Sequence, residues 1–131
     1  MWASTDELSI SAGGSLDFTH IVDTERTGDV YYLLGSFAGT SPGTLLPGSV
    51  ILPLNVDPLL LGMVTHPNIG VFIDTVGMID AQGGAASAVL IPPGLLLPVL
   101  IGQDMSLVHA LIDGTGLVVE ISNVVTVTMT L

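Results

Sequence analysis

Ser36, in the run Leu34-Gly35-Ser36-Phe37-Ala38-Gly39, is the serine whose surroundings come nearest to a nucleophile elbow. Acyl-transfer chemistry would need its hydroxyl on a strained strand-to-helix turn, beside a base that a carboxylate orients. The chain has no G-x-S-x-G, and Ser36 stands where a strand enters a Pro/Gly loop, so its expected role is structural. The three histidines, His20, His66 and His109, lie far apart in sequence, and none makes the H-x-x-x-H or H-E-x-x-H spacing that sets two metal ligands on one helical face. His109 has apolar neighbours on both sides and is expected to be a hydrogen-bonded core or interface histidine. His66 precedes Pro67 in a loop and should lie at the surface, and His20 should face solvent at a strand end.

Carboxylates are the abundant ionisable groups: twelve Asp or Glu against one basic side chain, Arg26. Asp17, Asp23, Glu25 and Asp29 are close in sequence, yet they do not follow the alternating oxygen-ligand loop that holds calcium, and a solvated acidic face explains them. Asn55 and Asp57, beside Pro53 and Pro58, are expected to hydrogen-bond their own loop. Two carboxylates across a cleft could hydrolyse a glycoside, but no spacing in the sequence picks out such a pair. Sugar binding would favour exposed aromatic platforms, and the aromatics Trp2, Phe18, Tyr31, Tyr32, Phe37 and Phe72 form no stacking row. No catalytic, cofactor-binding or metal-ligating residue is therefore assigned.

The elements that would position these groups read as strands. Val125, Val127, Met129 and Leu131 alternate with Val124, Thr126, Thr128 and Thr130, a period of two with one Thr-rich face. Leu8 and Ile10, then Leu16 and Phe18, suggest two short strands around Ala12-Gly13-Gly14. Val30 to Phe37 is apolar on both faces, as a central strand covered on each side would be. Val50, Leu52 and Leu54 offer another strand after the Gly39–Gly43 loop. Asp57-Pro58 can cap and open one or two helical turns. Hairpins are expected across Ala81-Gln82-Gly83-Gly84, joining Val71–Asp80 to Ala85–Ile91, and across Asp113-Gly114-Thr115-Gly116, joining Met105–Ile112 to Leu117–Ile121. The apolar run from Val89 to Ile101 is broken by three prolines and a glycine, is too short to span a bilayer, and reads as a loop and short strand packed under the domain.

Eight or nine short strands separated by Gly, Pro and Asp turns specify an all-β chain: a two-sheet antiparallel β-sandwich, immunoglobulin-like or jelly-roll-like, with at most one short helix. At 131 residues one domain is expected, over residues 8–131, preceded by a flexible N-terminal segment over residues 1–7. A net charge of -11 opposes nucleic acid and anionic bilayers. The absence of cysteine removes disulfide and thiolate chemistry without excluding export.

Val30-Tyr31-Tyr32-Leu33-Leu34-Gly35-Ser36-Phe37-Ala38-Gly39-Thr40-Ser41-Pro42-Gly43, followed by Leu52-Pro53-Leu54-Asn55-Val56-Asp57, resembles the "YLLLGSxSGTSPG … LPLNxD" pattern of a β-rich domain in large exported and cell-surface proteins of planctomycetes and myxobacteria. Met78-Ile79-Asp80-Ala81-Gln82-Gly83, Ile91-Pro92-Pro93 and Ser122-Asn123-Val124-Val125 continue it, so that the likeness runs over nearly the whole chain after Leu8. Phe37 stands where that pattern has a small or aliphatic residue, and His109-Ala110-Leu111 departs from its Ala-Tyr pairing. The resemblance implies an extracellular, non-catalytic role, secreted or at the cell surface; no cofactor is expected. The function expected is an extracellular structural or protein-interaction module, with copies of itself or another extracellular protein as partner. A polysaccharide-binding accessory module is the alternative and a small hydrolase the third reading.

Overall fold

The β-branched and alternating segments of the sequence form twelve short strands around one helix, in a computed structural model that describes residues 1–131. The strands are β1 (Trp2–Ala3), β2 (Glu7–Ser9), β3 (Gly14–Ile21), β4 (Val30–Ser36), β5 (Thr44–Leu46), β6 (Val50–Leu52), β7 (Phe72–Ile73), β8 (Val76–Met78), β9 (Gly84–Ile91), β10 (Asp104–Ile112), β11 (Val118–Ile121) and β12 (Val125–Thr130). The helix, α1, spans Pro58–Thr65 and begins as expected, with the Asp57 carboxylate accepting from Leu60 N and Pro58 in the first turn.

One sheet runs in the order β1-β3-β9-β7 and the other in the order β2-β12-β10-β4-β8, with β11 continuing beside β10 where β12 ends. Leu16, Phe18 and Val89 from the first sheet and Leu33, Leu107 and Val127 from the second meet in one buried cluster. The sheets also approach each other where β2 lies beside β3 and β8 beside β9. The result is an all-β, sandwich-like domain whose β layer curls towards closure, with a single short helix. β4 sits between β10 and β8, and both of its faces are apolar, as its sequence requires. In β12, Val127 and Met129 are buried while Thr126 is exposed. The Asp113–Gly116 hairpin joins β10 to β11 with a bulge at Leu111/Ile112.

Three expectations need correction. Ala81–Gly84 is a corner, not a hairpin: β8 pairs with β4 in one sheet and β9 with β3 in the other. The backbone does turn tightly there, with Gly83 N donating to Asp80 O at 3.0 Å, but the next strand departs into the opposite layer because Ala85, Ser87 and Val89 must face the core. At Ala12–Gly14 the two short strands and the turn form as expected, and β2 and β3 go to different sheets. The ladder is not wholly antiparallel: β2 pairs parallel with β12, in the register Glu7↔Thr128 and Ser9↔Thr130, which carries Leu8 and Ile10 into the core. Finally, the Val89–Ile101 run is packed on the domain only in part: Val89 and Ile91 of β9 are buried and Leu96 and Leu100 pack against the core, while Leu97 is 67% and Val99 74% exposed.

Residues 1–7, expected to be flexible, take part in the sheets. Trp2 and Ala3 pair with Thr19 and Phe18, Ser4 N donates to Asp17 O at 2.8 Å, and Asn123 Nδ2 donates to Met1 O at 2.9 Å. These short additions cover part of the β3 edge, a means of limiting strand addition.

Candidate functional site

Ser36 does what its place at the end of β4 suggests. It is fully buried, its Oγ donates to Asn55 O at 2.7 Å and accepts from Ala38 N at 3.0 Å, and no histidine bonds to it. Asn55 closes the loop from the other side: its Oδ1 accepts from Gly43 N, and its Nδ2 donates to the carbonyls of Ala38 and Ser41, each at 2.9 Å. Asp57 joins the same frame, with one carboxylate oxygen on Phe37 N and the other on Leu60 N. The polar residues of the Gly35–Gly43 and Leu52–Asp57 motifs thus bind one another's backbone. Replacing Asn55 by Ala strips three partners from this loop, and an expected loss of about 2 kcal/mol would be read from the urea unfolding midpoint.

Two of the three histidines lie where their neighbours imply. His66 is exposed at the C-terminus of α1, where its Nδ1 lies 2.8 Å from Thr65 Oγ1. His109 is fully buried on β10, pointing at the opposite sheet, where Nε2 lies 2.9 Å from Ser87 Oγ on β9. Its backbone N–H falls in the gap between the β11 and β12 ladders and is taken up by Ser122 Oγ at 2.9 Å. Tyr31 packs at 5.3 Å from the imidazole and donates through its hydroxyl to Ala86 O at 2.9 Å. His20 lies at the end of β3 as expected but is half-buried instead of facing solvent, its ring centroid 5.9 Å from that of His109. Two ring nitrogens in this layer, His20 Nε2 and His109 Nδ1, are buried without a hydrogen-bond partner.

This environment fixes the protonation of both rings. Burial, then the neighbouring His20 and the N-terminal ammonium, push the His109 pKa down to about 3, so the ring is neutral at ordinary pH. Burial lowers His20 in the same direction. A serine and a histidine at hydrogen-bond distance are the first two parts of a nucleophile–base pair, but the third is missing, because the nitrogen that a carboxylate would orient is unpartnered. Ser87 and Ser122 carry no motif in the sequence; only the fold brings them to His109.

The carboxylates are dispersed. Asp23 accepts from Glu25 N, Asp29 stands 3.7 Å from Arg26, Asp80 accepts from Gln82 N and Gly84 N, and Asp17 lies on β3. No group of three His, Asp or Glu side chains is placed to hold a metal ion. Of the aromatics, Phe18 is in the core and Tyr31 faces the buried layer. Trp2 is 55% exposed beside an open groove bordered by Ser4, Asp6 and Thr126.

The largest unexplained chemistry is apolar and lies on the outer face of the second sheet. Register across the strands gives one row Met78–Val30–Ile112–Val118 and a second row Val76–Tyr32–Ala110–Ile121. All eight side chains are apolar or, for Tyr32, aromatic. Tyr32, Ala110, Ile112 and Val118, with Leu46 of β5 and Val64 of α1, line a concave groove of about 270 Å³. The helix and the β5–β6 hairpin border one end of the face; Ala110 is buried, six members of the rows are half-buried, and Met78 is 65% exposed. Apolar residues on both sides of Val30–Phe37, of Met105–Ile112 and of Leu117–Val119 signal this face in the sequence; the contributions of Val76 and Met78 do not show there, because Val71–Asp80 reads as one arm of a hairpin with Ala85–Ile91.

No family model, no curated protein and no solved structure matches the chain.

Proposed function

We propose that this chain is a non-catalytic extracellular structural or protein-interaction module that associates with copies of itself. The observation that carries the reading is the charge-free outer face of the second sheet, in a protein whose net charge is -11. A water-facing sheet surface normally alternates polar residues outward, and contiguous exposed apolar area marks contact sites. The finer fold reading is two facing sheets, immunoglobulin-like or jelly-roll-like. The likeness of the Gly35–Gly43 and Leu52–Asp57 motifs to exported domains supports secretion or display at the cell surface. No helix is long and apolar enough to cross a membrane.

Polysaccharide binding is the second reading, favoured by exposed Trp2 beside hydroxyls and the Asp6 carboxylate. Hydrolysis is disfavoured: the pair that comes within bonding distance, Ser87 and His109, is sealed between the sheets.

Light scattering across protein concentration and salt tests the leading reading. Repulsion between acidic copies is screened over about 8 Å at physiological ionic strength, so added salt should strengthen an assembly held by apolar burial. Monodisperse monomers at high concentration and high salt would overturn it.

A further inference from the structure

We infer that an apolar pit between the two sheets is a binding site for the aliphatic end of an uncharged amphiphile. The inference goes beyond the self-associating reading, since the pit shares no residue with the groove on the outer face of the second sheet. Its floor is Leu8 and Met105 from the second sheet and Val89 and Ile91 from the first, all buried members of the main core cluster. Phe37 directly after β4, Leu59 of α1, Phe72 of β7 and Leu96 of the loop after β9 also line it and are half-buried, and Leu95 is 52% exposed. This passage from buried to exposed residues places the mouth at the Leu95 side.

The chemistry of the lining selects the guest. All ten lining residues are hydrophobic, and no polar surface faces the space. Water inside would give up hydrogen bonds and gain none, and cavities of this kind stay dry. A polar or charged group at the floor would meet the same penalty, so only hydrocarbon enters. The neighbouring carboxylates do not change this. Glu7 and Asp104 point to the opposite face of their strands from Leu8 and Met105, and Asp57 is held by Phe37 N and Leu60 N. The one basic side chain, Arg26, is paired with Asp29, so nothing holds the carboxylate of a fatty acid on a chain of net charge -11. With no ionic partner of either sign in the lining, the head group outside the mouth is uncharged.

Volume sets the length. The pit holds about 90 Å³, more than the share of about 30 Å³ that one molecule has in liquid water and less than the cavities of about 150 Å³ that admit benzene. Three or four carbon groups of roughly water size therefore fill it, and Met105, unbranched and flexible, adapts to their shape. Each methylene that enters leaves water and should tighten binding about fourfold. Carbons beyond the fourth stay at the exposed mouth and should add little.

Straight-chain 1-alkanols from ethanol to octanol, titrated into the full chain while NMR follows the methyl groups of Leu8, Val89, Ile91 and Met105, test this. Binding should saturate, tighten about fourfold per carbon to a millimolar dissociation constant at butanol, and gain less than about twofold per carbon beyond it. Val89→Ile adds one methylene at the floor, where there is empty space to take it, and should move the break one carbon shorter. Val71→Trp, at another half-buried lining position, should raise the dissociation constants about tenfold or more. Leu45→Gln, 72% exposed on β5, should leave the series unchanged. No saturable shift at the four floor residues, or tightening that runs unbroken to octanol as surface partition would give, would overturn the site. So would an unchanged break in Val89→Ile, which decides the matter even if Val71→Trp does not fold.

Discussion

Acidification from pH 7 to pH 4.5 is expected to cost the folded chain about 3 kcal/mol through His109 alone. In the fold this imidazole is neutral, with its pKa depressed from 6.5 to about 3. The unfolded chain therefore binds the extra proton first. Stability is fully present above pH 6.5, is lost as the pH falls below that value, and continues to fall until about pH 3, where the folded state also accepts the proton. His20 is shifted the same way and adds to the effect. Asp113, held below its ordinary value by hydrogen bonds from Thr115, also loses its contribution in acid, but only below about pH 3.8, so it does not confuse the higher window. Urea unfolding at pH 7, 5.5 and 4.5 measures this directly. His109→Gln, which keeps a polar group near Ser87 and cannot titrate, should flatten most of the dependence even if it is less stable at pH 7. An unchanged slope in the variant would contradict the assignment.

A single methyl at Gly83 should destabilise the domain by at least about 3 kcal/mol. Gly83 has φ of +78°, and a Cβ there would collide with the carbonyl oxygen of Val22. That oxygen belongs to a backbone whose amide is fixed in turn, because Val22 N donates to Gly83 O at 2.8 Å. Relief of the clash must therefore break the contact that holds the end of β3 against the start of β9. Gly116, at φ of +84° with no atom within 4 Å of its virtual Cβ, separates the two costs. Gly116→Ala should lose only about 1 kcal/mol, the backbone penalty alone. Thermal and urea unfolding of the two variants should differ accordingly; equal losses would mean that the close approach at Gly83 is unimportant.

The same corner shows how far the sequence could be read. Gly83 and Gly84 announce a turn, and the turn forms, but local chemistry cannot say whether the next strand folds back beside the last one or crosses to the other layer. That choice is made by what each strand must bury: Tyr31 and Ile79 on one side, Ala85 and Val89 on the other. Strand existence was clear wherever side chains alternated, as in Val125–Thr130, and the helix start was clear because Asp57 and Pro58 act within one turn. Pairings over long separations were not legible, including Leu8 with Met129 and the join of Met1 to Asn123.

The candidate site divides similarly. Ser36, Asn55 and Asp57 could be read as structural because their partners are close in the loop they organise. His109 was readable as a buried histidine, but Ser87 and Ser122 became its partners only through the cross-sheet contact and the break between two ladders. The apolar outer face was half legible: Val30, Tyr32, Ala110 and Ile112 carry the apolar pattern in their own strands. Val118, within Leu117–Val119, carries it too, and Met78 joins it only through register.

The central claim is that this chain meets its own copy, a reading carried by the apolar outer face. Isotope-filtered NMR on an equimolar mixture of carbon-13-labelled and unlabelled protein, at a concentration above the dimer dissociation constant, reads that contact most directly. Intermolecular cross-peaks should arise from the methyl groups of Val76, Met78, Ile112 and Val118. Their absence in a sample that sediments as a dimer, or their appearance instead at Leu45 and Ile51 or at Leu97 and Val99, would contradict the account.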